Sequence, residues 1–372
     1  MPLGRMKSGR YTVRDPSRAT ASSSNDRHVI RHALGALAAL FIVVASTSPG
    51  ATATLQRFEG VEPHMGTLVR ITVYAPDEGA ARTAFTAGFD RIRALNATLS
   101  DYVDDSELNS VVREAVGHPV AVSADLFTVL ARAQALAEAT DGAFDVTQGP
   151  VIRLWRDARR TRQPPDPAAL KTAAARTGYR HMHLDAGRRT VMFDLAGMQL
   201  DVGGIGKGFA ASEAVTAIGK AGVSSALVAV SGDLAFSGAP PGQRGWRVRI
   251  HRGDVGATDV PEILQLTDAA VSTSGSAEQH LDVDGTRYSH VIDPASRQGL
   301  TSDITVTVVS RHGIDADGLD TTIGIVGIDR GLPLIERQPD AAAFIVTRRD
   351  GQARSHASAR MTALAKRENA SR

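Results

Sequence analysis

The sequence predicts an α+β fold in which mixed or antiparallel sheets are flanked by helices within a single unit. Segments that alternate between apolar and polar residues, as half-buried strands do, recur along the chain between segments with helical periodicity. No internal repeat divides the chain. With 372 residues, 42% of them hydrophobic and 22% charged, the chain can bury a sizeable core.

The elements follow from these two periodicities. Strands are predicted at 68–74, 183–184, 190–195, 226–230, 246–250, 304–309 and 342–346. Helices are predicted at 79–99, 124–140, 167–177, 208–222, 318–326 and 332–337. Ser123 is a favourable N-cap for the helix at 124–140, because its hydroxyl can accept a hydrogen bond from the first turn. Residues 160–167 are predicted to form a charged, proline-bearing loop.

The two ends of the chain differ from its middle. Residues 1–53 combine a basic, Ser-rich segment with an apolar stretch at 33–44, which has the length of a signal-peptide core and ends before a small-x-small site at 51–53. They predict export across the cytoplasmic membrane, with an uncleaved membrane anchor or a buried helix as the alternatives. Residues 54–350 are predicted to be the main folded domain, and residues 351–372 a basic, frayed tail.

The composition excludes several classes of function. The chain has no cysteine, which excludes disulfides, thiol chemistry, cysteine-ligated zinc and a lipidated N-terminal cysteine. Its 42 Lys and Arg nearly balance its 40 Asp and Glu, so the basic pI reflects a small excess and not a basic block. No nucleic-acid-binding motif or basic-aromatic stripe is present, and no nucleic-acid partner is expected.

A glycine-rich turn at 201–210 surrounds Lys207 and precedes a helical segment. Glycines let a ligand approach the backbone closely, and the start of a helix directs free N–H groups at an anion, most often a phosphate. The turn is not a Walker A loop, because Gly208 and not Ser or Thr follows the lysine. A structural turn with a solvated lysine remains the alternative interpretation.

Asp317 and Thr321 are four residues apart at the start of a predicted helix, which places both on one helical face. Their oxygens are hard donors that suit Mg²⁺. The alternative is a first helical turn in which Asp317 is favoured by the helix dipole and Thr321 is merely packed.

Short motifs follow one another in a fixed order along the chain. They lie at 63–67, 99–102, 105–108, 141–150, 154–155, 201–210, 231–233, 272–275, 288–294 and 316–321. In this order and at these distances they resemble the ApbE-like flavin transferases, which are FAD:protein FMN transferases. The resemblance extends from about residue 58 to about residue 347 and implies that the domain is a single catalytic unit of this type.

The resemblance implies a reaction and its central residues. FAD would be the donor, and FMN would pass through a phosphoester bond to a Thr or Ser of an acceptor flavoprotein, with release of AMP. Asp317, Thr321 and the main-chain carbonyl of Gly204 would hold a magnesium ion. His290 would take the proton of the acceptor hydroxyl, since imidazole titrates near physiological pH. A histidine in a strand is otherwise an ordinary core or surface residue.

The same comparison implies residues that contact FAD. They are Met65, Tyr102, Ala143, Phe144, Asp145, Asp201, Lys207 and Ile292. For Met65 and Tyr102, a thioether and an aromatic ring suit the face of a flavin, with core packing as the alternative. The acceptor would be a membrane-associated redox protein, which would bring the enzyme to the cytoplasmic membrane.

The sequence departs from the family pattern at three positions. Ser231 and Arg297 stand where glycine is usual, and Ser212 replaces a common aspartate. None of these changes removes the proposed metal ligands, Lys207 or His290. Two other functions are alternatives. A metal-dependent FAD pyrophosphatase that releases FMN and AMP would use the same residues, whereas the presence of Asp317, Thr321 and His290 argues against a non-catalytic FAD-binding protein.

Overall fold

An eight-stranded sheet forms the centre of the fold in a computed structural model that describes residues 54–256, 258–275 and 280–371. The order of its strands is β1-β2-β6-β7-β10-β15-β16-β17. Each neighbouring pair is antiparallel. The predicted α+β class, with antiparallel sheets and flanking helices, is confirmed.

The strands of this sheet are β1 (Gln56–His64), β2 (Thr67–Ala75), β6 (Ser225–Val230), β7 (Asp233–Ser237), β10 (Ala269–Gly275), β15 (Asp303–Ser310), β16 (Ala341–Arg349) and β17 (Gln352–Ala357). A three-stranded sheet contains β3 (Val120–Ala121), β4 (Met182–Asp185) and β5 (Thr190–Phe193). Three hairpins pair β8 (Trp246–Arg249) with β9 (Ile263–Leu266), β11 (His280–Val283) with β12 (Thr286–Ser289), and β13 (Ile292–Asp293) with β14 (Gln298–Gly299).

The helices are α1 (Glu78–Leu99), α2 (Glu107–Glu114), α3 (Ala124–Ala139), α4 (Gly149–Thr161), α5 (Pro167–Ala174), α6 (Gly206–Lys220), α7 (Gly313–Glu336) and α8 (Ala359–Ala370). Ser123 caps α3 as predicted, since its hydroxyl accepts from the backbone N–H of Leu126 at 3.2 Å. The two helices predicted at 318–326 and 332–337 are both parts of α7, which bends at Gly327, where φ is 73°.

The central sheet is buried on both faces, as β16 shows. Ala343 and Ile345 face one core, which α1, α3, α6 and α7 cover. Phe344 and Val346 face a second core, which contains side chains of the β8–β9 hairpin and of α8. Successive side chains of a strand point to opposite faces, so a strand with apolar residues on both faces needs a layer on each side.

The second core corrects the prediction for the end of the chain. Residues 351–372 were predicted to be a frayed tail, but the sheet continues through β17, which pairs with β16. Helix α8 then buries Met361 and Ala365, one turn apart, in the second core. Only the partly buried Leu364 adds to this short apolar stripe, and four of the twelve residues of α8 are charged, so the apolar periodicity was too weak to predict the helix. The folded domain therefore extends to the last described residues.

Other parts of the prediction have different outcomes. The strands and helices predicted between 68 and 346 have counterparts in the structure, whereas β1, α2, α4 and several short strands were not predicted. The predicted signal peptide and basic segment at 1–53 lie outside the described residues. Within the described residues, no helix has both the length and the apolar character needed to cross a membrane.

Candidate active site

A cavity opens where the glycine-rich turn, the start of α6 and the side of α7 meet. It is also lined by the loops at 143–148 and 231–233, the end of β10, part of α4 and the segment at 290–294. The cavity brings together all but one of the predicted site residues: Tyr102, Ala143, Phe144, Asp145, Asp201, Gly204, Lys207, His290, Ile292, Asp317 and Thr321.

A close contact between two glycines positions the helices of the site. A Cβ atom on Gly208 of α6 would lie 2.2 Å from the carbonyl oxygen of Gly313, at the start of α7. A Cβ atom on Gly313 would lie 1.9 Å from the oxygen of Gly208. Only glycine permits this approach of the two backbones. The contact lets the backbone N–H of Gly208 donate to Asp317 Oδ2 at 2.9 Å, which joins the two helices at the cavity.

Lys207 lies among carboxylates in the first turn of α6. Its ammonium is 2.9 Å from Asp233 Oδ2 and 3.6 Å from Asp317 Oδ1, and it donates to the carbonyl of Gly203 at 3.1 Å. Burial lowers the pKa of Lys207, but the charges of Asp317 and Asp233 outweigh burial and raise it above its ordinary value. The predicted site lysine is therefore held in its charged form by carboxylates of α7 and β7, although its side chain stays partly exposed.

A third carboxylate belongs to the same cluster. The hydroxyl of Ser272 in β10 lies 2.6 Å from Asp320 Oδ2 and also contacts Asp233 Oδ1. Thr321 donates to Asp320 Oδ1 at 3.3 Å. Three buried carboxylates, those of Asp233, Asp317 and Asp320, thus surround the single ammonium of Lys207.

This imbalance of charge changes the protonation of the cluster. Burial and the nearby Asp233 carboxylate raise the pKa of Asp317 to about 7, although Lys207 acts in the opposite direction. Burial and the charges of Asp317 and Asp233 also raise the pKa of Asp320 well above its usual range. An additional cation would relieve the repulsion that these shifts report.

The predicted metal ligands suit such a cation. Thr321 lies against the glycine-rich turn, because a Cβ atom on Gly204 would be 3.0 Å from Thr321 Cγ2 and 3.2 Å from its hydroxyl. Among the described residues, no group of three or more His, Cys, Asp or Glu side chains is arranged to hold a metal. A cation here would therefore need hydroxyl and carbonyl oxygens besides carboxylates, which is the donor set of Asp317, Thr321 and Gly204.

Tyr102 stands at the rim of the cavity with 72% of its surface exposed. The guanidinium of Arg156 lies 4.4 Å from the centre of its ring. Arg156 is itself held by Asp101 and by Asp201 Oδ2, the latter at 2.6 Å. The other oxygen of Asp201 accepts from the backbone of Gly203 at 2.8 Å. The aromatic ring is thus connected through Arg156 and Asp201 to the glycine-rich turn.

The residues predicted at 143–145 line the cavity mainly as a rigid loop. The carboxylate of Asp145 accepts from the backbone and hydroxyl of Thr147, the amide of Gln148 and the backbone of Tyr179. Burial raises the pKa of Asp145, against the effect of these hydrogen bonds. Phe144 is buried in the main core. Because these two side chains already have partners, the loop can contact a ligand through its surface shape and its backbone N–H and C=O groups.

His290 lies between the β11–β12 and β13–β14 hairpins and lines the cavity. The hairpins are anchored on α4, because the indole of Trp155 donates to the carbonyl of Arg297 at 2.8 Å and packs on the ring of Tyr288. The carboxylate of Asp293 accepts from the backbones of Ala295 and Ser296 and so closes the turn between β13 and β14.

Met65 is the predicted site residue that the structure does not bring to the cavity. It lies in the turn between β1 and β2 with a φ of 51°, and its side chain packs on the main core. A contact between Met65 and the flavin therefore stays a prediction that the cavity does not support.

The three departures from the family pattern have clear positions. Ser231 and Arg297 have φ values of 58° and 61°, in the left-handed region where glycine is favoured. The hydroxyl of Ser212 accepts from the backbone N–H of Gly313 at 2.8 Å, and so helps to hold α7 against α6.

Several cavity residues were not predicted from the sequence. Asp233 and Ser272 lie in the motifs at 231–233 and 272–275, but no role was predicted for these two residues. Arg156 and Arg159 lie on α4, which was not predicted as a helix at all. The signal for this helix was Pro150, since proline is favoured in the first turn of a helix and stands here directly before an apolar and basic segment.

Comparison with known proteins agrees with the fold. The family model described as "ApbE family" matches residues 65–345. A FAD:protein FMN transferase of Treponema pallidum is 32% identical over 329 residues, which cover 84% of this chain and 90% of that protein. Another, of Klebsiella pneumoniae, is 31% identical over 310 residues, covering 82% of this chain and 87% of that protein.

Solved structures show the same relationship. The flavin transferase ApbE of Vibrio cholerae superposes with a TM-score of 0.73 at 27% identity, covering 83% of this chain and 99% of that one. The apo form of the Pseudomonas stutzeri flavinyl transferase ApbE also gives 0.73, at 28% identity, covering 83% and 97%. The chain belongs to the ApbE family.

Proposed function

We propose that this protein is a Mg²⁺-dependent FAD:protein FMN transferase. It takes FAD as donor, attaches FMN to a Thr or Ser hydroxyl of an acceptor flavoprotein, and releases AMP. The names of its relatives support the transferase activity and the flavin donor. The observation that carries the proposal is the cavity in which Lys207, three buried carboxylates, Thr321 and the glycine-rich turn converge beside His290.

The cavity suits this reaction because the three buried carboxylates of Asp233, Asp317 and Asp320 would be stabilised by a further cation. Asp317, Thr321 and the carbonyl of Gly204 would hold Mg²⁺. The ion would neutralise charge on the phosphates as the bond between FMN and AMP breaks. Lys207 is already paired with Asp233 and Asp317, so it fixes the positions of these carboxylates. Tyr102 offers an exposed ring for stacking on the flavin.

The transfer needs a base, for which we propose His290. The acceptor hydroxyl attacks the phosphorus of the FMN phosphate, the P–O bond to AMP breaks, and the hydroxyl proton passes to the imidazole. Asp293 is less suited to this task, because both of its oxygens accept hydrogen bonds from the turn that it closes.

We also propose that the enzyme acts outside the cytoplasm, at or near the membrane that holds its acceptor. This proposal rests on the apolar stretch at 33–44 and the small residues at 51–53 of the sequence. A fusion of residues 1–60 to a reporter that is active only after export tests it. Reporter activity is expected, and an inactive reporter confined to the cytoplasm contradicts it.

The proposed activity is tested with the purified protein, FAD and candidate acceptor proteins, with and without Mg²⁺. An acceptor whose mass increases by one FMN, only when Mg²⁺ is present, is the expected result. Conversion of FAD to free FMN and AMP, with every acceptor left unmodified, would instead identify a pyrophosphatase. Binding of FAD without any turnover would identify a non-catalytic flavin-binding protein.

A further inference from the structure

Helix α4 presents two different stripes of side chains. Val151, Trp155 and Ala158 are buried in a small core shared with the hairpins that flank His290. One residue further along in each case, Ile152, Arg156 and Arg159 line the cavity. Both sets have the spacing i, i+4, i+7, and a shift of one residue turns a side chain about 100° around a helix. The burial of the first stripe therefore directs the second into the cavity.

The two arginines of the cavity stripe differ in their contacts. Arg156 pairs with Asp101 and Asp201 and lies on the ring of Tyr102. The side chain of Arg159 makes no hydrogen bond or ion pair with any described residue, and its Nη1 atom is buried. Burial and the charge of Arg156 lower the pKa of Arg159.

Arg159 is only partly exposed, and its buried Nη1 is costly, because the N–H groups on this atom have lost water without gaining an acceptor. The other two cations that line the cavity, Lys207 and Arg156, already have carboxylate partners. Within the described part of the chain, Arg159 is therefore the lining Lys or Arg whose charge no carboxylate matches. An anion bound in the cavity could therefore pair with Arg159 without displacing a carboxylate.

We propose that Arg159 binds a phosphate group of the flavin nucleotide. This inference rests on the proposed function, which makes FAD the ligand of the cavity. A guanidinium presents parallel N–H groups that match two oxygens of a phosphate. The cavity is also lined by the carboxylates of Asp233, Asp317 and Asp320, which repel a phosphate. Arg159 supplies an attraction that does not depend on the metal.

The test compares ligands with and without phosphate groups. Affinities for FAD, FMN, AMP and riboflavin are measured in the presence of a chelator, which stops turnover and leaves only the cations of the protein. Arg159→Gln is expected to weaken FAD binding by about 10- to 100-fold, the range of a hydrogen bond between charged groups. Riboflavin binding is expected to stay at the parent value. A loss for FMN or for AMP then identifies the phosphate that Arg159 contacts.

Arg160→Gln is the matched control, since Arg160 lies on the same helix with an exposed side chain that pairs with Asp157. It is expected to bind every ligand like the parent. Unchanged FAD affinity in Arg159→Gln, or an equal loss for FAD and riboflavin, would overturn the inference. If Arg159→Gln fails to fold, Arg159→Lys is used in its place. Lysine keeps the positive charge but lacks the parallel N–H groups of the guanidinium. This variant must still weaken FAD binding more than riboflavin binding.

The two proposals fail in different ways. If the parent protein transfers FMN while Arg159→Gln binds FAD normally, only the inference about Arg159 is wrong. If the parent protein binds no FAD, the proposed function is wrong, and the role of Arg159 falls with it.

Discussion

The carboxyl groups of Asp317 and Asp320 lie where ionisation is unfavourable as long as no further cation is bound. The pKa of Asp317 is raised to about 7 by burial and by Asp233, so its ionised form is unfavourable where it stands. Residues arranged in this way contribute little to folding, and clusters with strongly shifted pKa values are typical of functional sites. The residue-scale predictions therefore separate activity from stability.

Asp317→Asn is expected to reduce transfer on the order of 10²-fold or more, because a metal ion contributes several kcal/mol of charge stabilisation. The amide oxygen can still accept from the backbone of Gly208, so thermal unfolding should stay close to that of the parent. Asp315→Asn on the same helix, where Asp315 pairs with Arg132, is the control and should keep its activity. Full activity of Asp317→Asn with Mg²⁺ would refute the metal assignment.

His290→Asn is expected to lower the rate of transfer by roughly 10²- to 10⁴-fold, the usual contribution of a positioned base. FAD affinity, measured by calorimetry with a chelator present, should be unchanged, because His290 acts on the acceptor. Poor FAD binding with a normal rate at saturation would make His290 a binding residue instead.

Tyr102→Ala is expected to weaken FAD binding by about 1–3 kcal/mol if the ring stacks on the flavin, by analogy with bases stacked on aromatic side chains. Tyr102→Phe keeps the ring above Arg156 and should bind like the parent. Equal affinities for Tyr102→Ala and the parent would show that the exposed ring does not contact FAD.

At the scale of elements, the approach of α6 to α7 creates the site. Lys207 and Asp317 are 110 residues apart in sequence, and only the contact of Gly208 with Gly313 brings their helices together. The sequence could predict both helices and, through the family resemblance, both residues. It could not predict that Lys207 would lie among three buried carboxylates, because that depends on packing between distant segments.

Gly208→Ala is expected to destabilise the fold by at least about 1–3 kcal/mol, since overpacking against a rigid backbone oxygen forces the helices apart. Transfer should fall as well, because Asp317 would lose its hydrogen bond from α6. Gly219→Ala is the control on the same helix, where a Cβ atom meets nothing within 4 Å. It should stabilise by about 0.5–1 kcal/mol. Denaturant unfolding measures both, and similar values for the two variants would contradict the glycine contact.

Helix α8 offers a second prediction at this scale. Met361→Ala should destabilise the protein by about 2–5 kcal/mol, the usual cost of truncating a fully buried side chain. Lys366→Ala, on the exposed side of α8, should change stability by no more than about 0.5 kcal/mol. Equal stabilities would mean that residues 351–372 are a tail after all.

At the scale of the whole molecule, elements with a strong apolar pattern were predicted from the sequence, and elements with a weak pattern were missed. The apolar residues of β2, β6, β15 and β16 predicted half of the eight strands of the central sheet, because these strands contribute side chains to the apolar cores. Helix α8 was missed because its apolar stripe, formed by Met361, Leu364 and Ala365, is short. Helix α4 was missed because Arg156 and Arg159 occupy the positions that line the cavity, where a helix packed on a core would carry apolar residues.

The central claim, transfer of FMN to a protein and not its release, is tested most directly by the balance of products. FAD is incubated with Mg²⁺, the purified protein and an acceptor, and AMP, free FMN and acceptor-bound FMN are measured together. The account predicts one acceptor-bound FMN for each AMP, with free FMN near background. One free FMN for each AMP, with no flavin on the acceptor, would contradict it.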